Sequence, residues 1–224
     1  MRKYDKRFLK SIKELSNYCK SCESKRKKIE PYDIWSESDL KCFLYRELID
    51  INSMFRDTFK VEVINRTKKQ YPKEYEISSV HSEFQYSIYQ TSSKKSKGKN
   101  KPKIVKKSAD LIILDKDEVK YEIDSESFGF FLDEKIRKSL IVELKFSLKD
   151  SKNKIISKIM MDYEKLSKEK GILNKYVVLF DVNKKMEKDF FYKELKKCRG
   201  VRIVYIDRGG RILTKPLGLL NGVK

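Results

Sequence analysis

Apolar positions recur along the chain with two different spacings, and the changes between them mark the elements. Residues 4–19 read as a basic helix with Phe8, Ile12 and Leu15 on one face, followed by a lysine-rich join over 20–28. Leu40, Phe43, Leu44, Leu48 and Ile51 return to helical spacing, and Ser36 or Ser38 supplies N-cap chemistry just before them. Residues 80–89 alternate as a strand does. Val80, Ser82, Phe84, Tyr86 and Ile88 fall on one face, His81, Glu83, Gln85 and Ser87 on the other. Residues 109–115, 140–146, 176–181 and 201–206 are short apolar runs of strand length. Between them, 155–166 and 186–198 keep a helical period, the second stopped by Gly200. Residues 116–138 form a charged insertion around Phe128, Phe130, Phe131 and Leu132, expected to hold a hairpin tip and a short helix. Gly209 and Gly210 turn the chain into a last short strand.

The resulting order is helix, strand, strand, strand, helix, strand, helix, strand. Hairpin-connected strands followed by strand–helix–strand crossovers predict an α/β domain, a mixed sheet flanked by helices on both faces. The expected division is a basic N-terminal helical segment over 1–30 and one domain over 31–224.

Charge narrows the class. Lysine and arginine number 53 against 33 acidic residues, a formal charge of +20, and such a surplus suits a polyanionic partner, nucleic acid above all. The tract 92–107 is the densest basic stretch, and Lys94, Lys95, Lys97, Lys99, Lys101 and Lys103 are its candidate phosphate contacts. No run approaches the roughly 18 apolar residues of a membrane span, and the charged N-terminus lacks a signal-peptide core. The expectation is an intracellular protein, cytoplasmic or associated with the nucleoid or nucleus, that does not engage membranes. Cys19 and Cys22 make one CxxC, half of a zinc site, with no second pair to complete it. The lone histidine, His81, excludes mechanisms that need two, and no phosphate-cradling glycine loop is present. Chemistry here must rest on carboxylates and lysines.

Glu143 and Lys145 stand two apart on the apolar run 140–146, so they emerge from one face of a buried strand. Ions so placed cost several kcal/mol unless paired or bound to something. An ion pair at the sheet margin would satisfy them. Asp110, at the start of the preceding run, makes a second reading available: if the two strands are neighbours, Asp110 sits beside Glu143. Two carboxylates with a lysine nearby form an oxygen-ligand site for Mg²⁺ or Mn²⁺.

Asp110 followed by Glu143-Leu144-Lys145 resembles the D…ExK core of the PD-(D/E)XK, restriction-endonuclease-like nuclease superfamily, and the element order over about 35–181 resembles that fold. The motif's usual proline is absent, since Ser108-Ala109 precede Asp110. The resemblance implies a Mg²⁺- or Mn²⁺-dependent endonuclease hydrolysing phosphodiester bonds, DNA being the expected substrate. It makes Asp110, Glu143 and Lys145 catalytic, and Asp110, Glu143 and the Leu144 carbonyl metal ligands. Members often carry another acid on the first core helix; Glu37 is its best counterpart here and Glu47 the second, while Glu83 is a further candidate. Lys158, Asp162 and Lys165 are positioned to support the site or touch the backbone. A ribonuclease of the same fold, including the cap-snatching type with His81 on the metal, is the alternative, as is an inactive nucleic-acid-binding module. A homodimer would fit duplex cleavage, which often uses two active sites.

Overall fold

The computed structural model describes residues 3–24, 34, 36–49, 58–90, 103–123, 128–132, 136–169 and 171–221. Most of the basic tract, including Lys94, Lys95, Lys97, Lys99 and Lys101, lies outside them, as does Ile51. Among the described residues four helices, α1 (Lys3–Ser24), α2 (Glu37–Leu48), α3 (Lys152–Ser167) and α4 (Lys188–Glu194), accompany ten strands. The strands are β1 (Thr58–Asn65), β2 (Glu74–Ser78), β3 (Val80–Gln90), β4 (Lys103–Ile113), β5 (Val119–Ile123), β6 (Phe128–Leu132), β7 (Leu140–Ser147), β8 (Asn174–Asp181), β9 (Arg202–Asp207) and β10 (Ile212–Lys215). They form one mixed sheet in the order β10-β9-β8-β7-β4-β3-β6-β5-β1-β2. The α/β expectation therefore holds.

β7, β8 and β9 run parallel, and their near-continuous apolar sequences are what burial on both faces requires. Phe8, Leu9, Ile12 and Leu15 of α1 and Leu40, Leu44 and Leu48 of α2 pack over one face, against Leu140, Val142, Leu144 and Val178. Ile155, Ile159 and Leu166 of α3 and Phe191 of α4 cover the other, against Ile141, Val177, Leu179 and Ile203. Helices thus flank the sheet on both sides. The N-terminal helix is built into the first of these cores. Buried Asp5 accepts from the Tyr176 hydroxyl at 2.9 Å and from Arg202 at 2.8 Å, and the Ser16 hydroxyl donates to the Gly210 carbonyl. Among the described residues no helix is long and apolar enough to cross a membrane.

Several elements differ from the sequence expectation. The insertion over 116–138 holds the expected hairpin as the antiparallel pair β5 and β6, but among its described residues not the expected short helix; β6 docks in parallel on β3 and β5 on β1. α4 is shorter than 186–198, because the Arg199 guanidinium takes the carbonyls of Lys196 and Cys198 and closes the segment into turns. β3 does not keep one face throughout. Glu83 has φ 50°, and this left-handed residue turns the strand: Val80 enters the α1/α2 core, whereas Phe84 and Tyr86 enter the α3/α4 core.

Candidate active site

The site forms where two neighbouring strands separate. β4 pairs with β7 from Ile113↔Leu140 to Leu111↔Val142, after which β4 continues with β3 alone and β7 with β8. The next opposed pair in that register is Asp110 and Glu143. Strand separation leaves the Leu144 N–H without its ladder partner, and Asp110 Oδ2 accepts it at 2.7 Å. Glu143 and Lys145 follow Ile141 on the α3 face. Glu143 is 4% exposed.

Helix α3 completes the cluster from above. Asp162 and Lys165, one turn apart, lie on its inward side. Lys165 Nζ donates to Glu143 Oε1 at 2.7 Å, and Lys145 Nζ lies 3.2 Å from Asp162 Oδ2. That second contact is an ion pair without hydrogen-bond alignment: Asp162 Oδ2 is buried and has no hydrogen-bond partner. Lys145 also donates to the Leu144 carbonyl at 2.9 Å and stands 4.0 Å from Glu37 Oε2. Glu37 arrives from the other face, in the first turn of α2, whose start is fixed by Ser36 accepting from the Asp39 N–H at 3.1 Å.

Electrostatics joins these side chains into one unit. Burial pushes the Glu143 carboxyl up to about 7; Lys165 opposes the shift, and the charges of Asp110 and Asp162 add to it. Burial likewise raises Glu37, against Lys145, with Asp110 and Asp162 again repelling. Asp162 is raised by burial too, although Lys145 and Lys165 pull it down. Burial works against the Lys145 ammonium, but Asp162 and Glu37 outweigh it and lift its pKa above the ordinary lysine value. Four carboxylates and two ammonium groups are thus electrostatically coupled where β4 and β7 part.

No family model, no curated protein and no solved structure matches the chain. The functional reading rests on this geometry.

The remaining candidates lie elsewhere. Glu83 falls opposite Asp110 in the β3–β4 register, but its exposed carboxylate is paired with Lys41 of α2. Glu47 is exposed and paired with Arg46. Lys158 bonds Asp150 and the Phe146 carbonyl. The His81 Nε2–H donates to the Ser78 carbonyl at 2.7 Å, and its ring packs on Phe84. Cys19 is buried in the α1/α2 core, and its thiol is pushed up to about 12 by that burial. Lys103 begins β4, and Lys107, near the site, is paired with Glu169. Sequence reasoning passed over Lys41, whose place four residues after Glu37 on one helix was the available signal.

Among the described residues no three histidine, cysteine, aspartate or glutamate side chains stand together as a ready-made metal site. The donor chemistry nevertheless fits a hard cation: opposed carboxylates at Asp110 and Glu143, an adjacent carbonyl at Leu144, and an unbonded buried oxygen on Asp162. The contacts that lysines make to Glu143 and to the Leu144 carbonyl are ones a divalent ion would replace.

Proposed function

We propose that the protein is a Mg²⁺- or Mn²⁺-dependent endonuclease of the restriction-endonuclease-like type, hydrolysing phosphodiester bonds in DNA. The observation that carries this reading is the meeting of Asp110, Glu143 and Lys145 where β4 and β7 part, with Glu37 and Asp162 brought in by two helices. The topology supports it as well. α2 is followed by the antiparallel set β3, β4 and β7, and α3 then crosses over to β8 parallel to β7.

Asp110, Glu143 and the Leu144 carbonyl would hold the ion, with Glu37 on the α2 side. The bound ion would polarise the scissile phosphate and make a nucleophilic water available near neutral pH. Lys145 keeps its proton, since its acidic neighbours raise its pKa, and so acts as a fixed cation that offsets charge growing on the phosphate oxygens. Asp162 holds that ammonium in place. Leu144 N–H fixes the Asp110 carboxylate so that it does not reorganise as charge develops.

The test is incubation of the protein with labelled duplex DNA, single-stranded DNA and RNA, each with Mg²⁺, Mn²⁺ or chelator. Metal-dependent cleavage of DNA is expected, and Asp110→Ala or Lys145→Ala should lower its rate by about a hundredfold or more while leaving binding largely intact. Cleavage undiminished in those variants, or unaffected by chelator, contradicts the assignment. Cleavage confined to RNA moves the substrate to the ribonuclease alternative.

A further inference from the structure

The sheet carries more than the site needs. Beyond β3 its strands β6, β5, β1 and β2 extend away from the carboxylates, and a row of aromatic rings crosses them on the α3 side. His81 lies 4.8 Å from Phe84, Phe84 5.1 Å from Phe130, Phe130 5.0 Å from Tyr121, and Tyr121 5.2 Å from Tyr75, centroid to centroid. At a strand spacing of about 4.8 Å, the row from β3 to β2 covers about 19 Å of sheet. His81, Phe130, Tyr121 and Tyr75 are only half-buried. Phe84, Tyr121 and Phe130, with the exposed Gln85, line a groove of about 410 Å³. A second groove of about 300 Å³ is lined by Glu143 and Lys165. Tyr86 and Lys106 line both, so the two grooves adjoin.

We propose that this aromatic groove is a binding track for the bases of single-stranded nucleic acid, delivering one strand past Tyr86 and Lys106 to the cluster around Glu143. It deepens the nuclease reading, from which it takes nucleic acid as the ligand. Tyr121 packs edge-to-face on both Phe130 and Tyr75, and all three stay half-exposed, which leaves part of each ring accessible to a base; base–aromatic stacking is a strong, sequence-tolerant contact. A duplex cannot use such a row, because its base faces are already stacked on one another. The exposed Lys106 stands on the wall shared by the two grooves, where it suits the backbone of a strand passing between them. The charge of +20 supplies the general attraction, and the rings supply the preference for an unpaired strand.

The experiment is a fluorescence-anisotropy titration of the full chain in chelator, with labelled oligo-dT, oligo-rU, an abasic oligomer of equal length and a duplex of equal length. The single strands should bind about tenfold more tightly than the abasic oligomer, which has the same backbone charge. Phe130→Leu and Tyr121→Leu keep apolar bulk but remove the rings; each should weaken single-strand binding about tenfold and leave the duplex and abasic oligomers unchanged. Whichever of oligo-dT and oligo-rU loses affinity in those variants names the sugar. Equal affinity for oligo-dT, oligo-rU and the abasic oligomer overturns the track, and that comparison needs no variant to fold. So does a leucine variant that weakens every form alike. The two readings fail separately. Base-dependent binding without metal-dependent cleavage keeps the track and removes the nuclease, and cleavage without base-dependent binding does the reverse.

Discussion

At the scale of single residues, the carboxyl of Glu143 carries the strongest consequence. Its ordinary value is 4.5, and burial beside Asp110 and Asp162 moves it to about 7 despite Lys165. Between those values the native state keeps a proton that the unfolded chain has released, so stability falls as pH rises through this window and is level above it. A shift of that size corresponds to about 3 kcal/mol. Glu143→Gln, a neutral residue of the same shape, should therefore raise the urea unfolding midpoint at about pH 8 and leave it nearly unchanged at about pH 4, where both proteins are neutral at this position. An equal offset at both pH values would mean that packing, not charge, sets the difference. A cluster that destabilises its own fold at neutral pH makes sense where a cation is to be bound. Glu143 and Lys145 were legible because ions interrupt an otherwise apolar run. Asp162 was named from the resemblance as a support of the site, but its pairing with Lys145 was not legible, since an acid on the mixed face of an amphipathic helix reads the same whether it faces solvent or a lysine.

At the scale of elements, the decisive event is the parting of β4 from β7, and the helices are placed to use it. α2 presents Glu37 at its capped first turn, α3 presents Asp162 and Lys165, and α1 braces the sheet beneath through Asp5 and Ser16. The α1 brace depends on Gly210. Its φ is +76°, and a Cβ there would stand 2.4 Å from the Ser16 carbonyl oxygen. Gly210→Ala should cost on the order of 2 kcal/mol and move the denaturant midpoint down accordingly; an unchanged midpoint would show that α1 docks without this turn. Core strands were readable because burial on both faces forces continuous apolar sequence, as in β7 and β8. β1 and β2 were not recognised, although Phe59, Val61 and Val63 alternate with polar Lys60 and Glu62. Their faces are half-exposed, so the contrast that marks a strand is weak. The β5–β6 pair was expected only as a hairpin tip, because its flanking charges hide where the two strands begin and end, and the turn of β3 at Glu83 has no signature in a period-two pattern.

At the scale of the whole molecule, two cores on either side of one sheet hold an acidic pocket inside a protein of formal charge +20. The positive surface suits a polyanion, and the negative pocket suits a small cation that would lie between the two. Composition pointed to the first of these, and the D…ExK spacing to the second, but only the sheet register brings Asp110 and Glu143 opposite one another. The measurement that tests this most directly is a calorimetric titration of Mn²⁺ into the wild-type protein and into the Asp110→Asn, Glu143→Gln double variant. Saturable binding by the wild type that is lost in the double variant is the predicted result. A wild type that takes up no Mn²⁺, or a double variant that binds it equally well, would contradict the account.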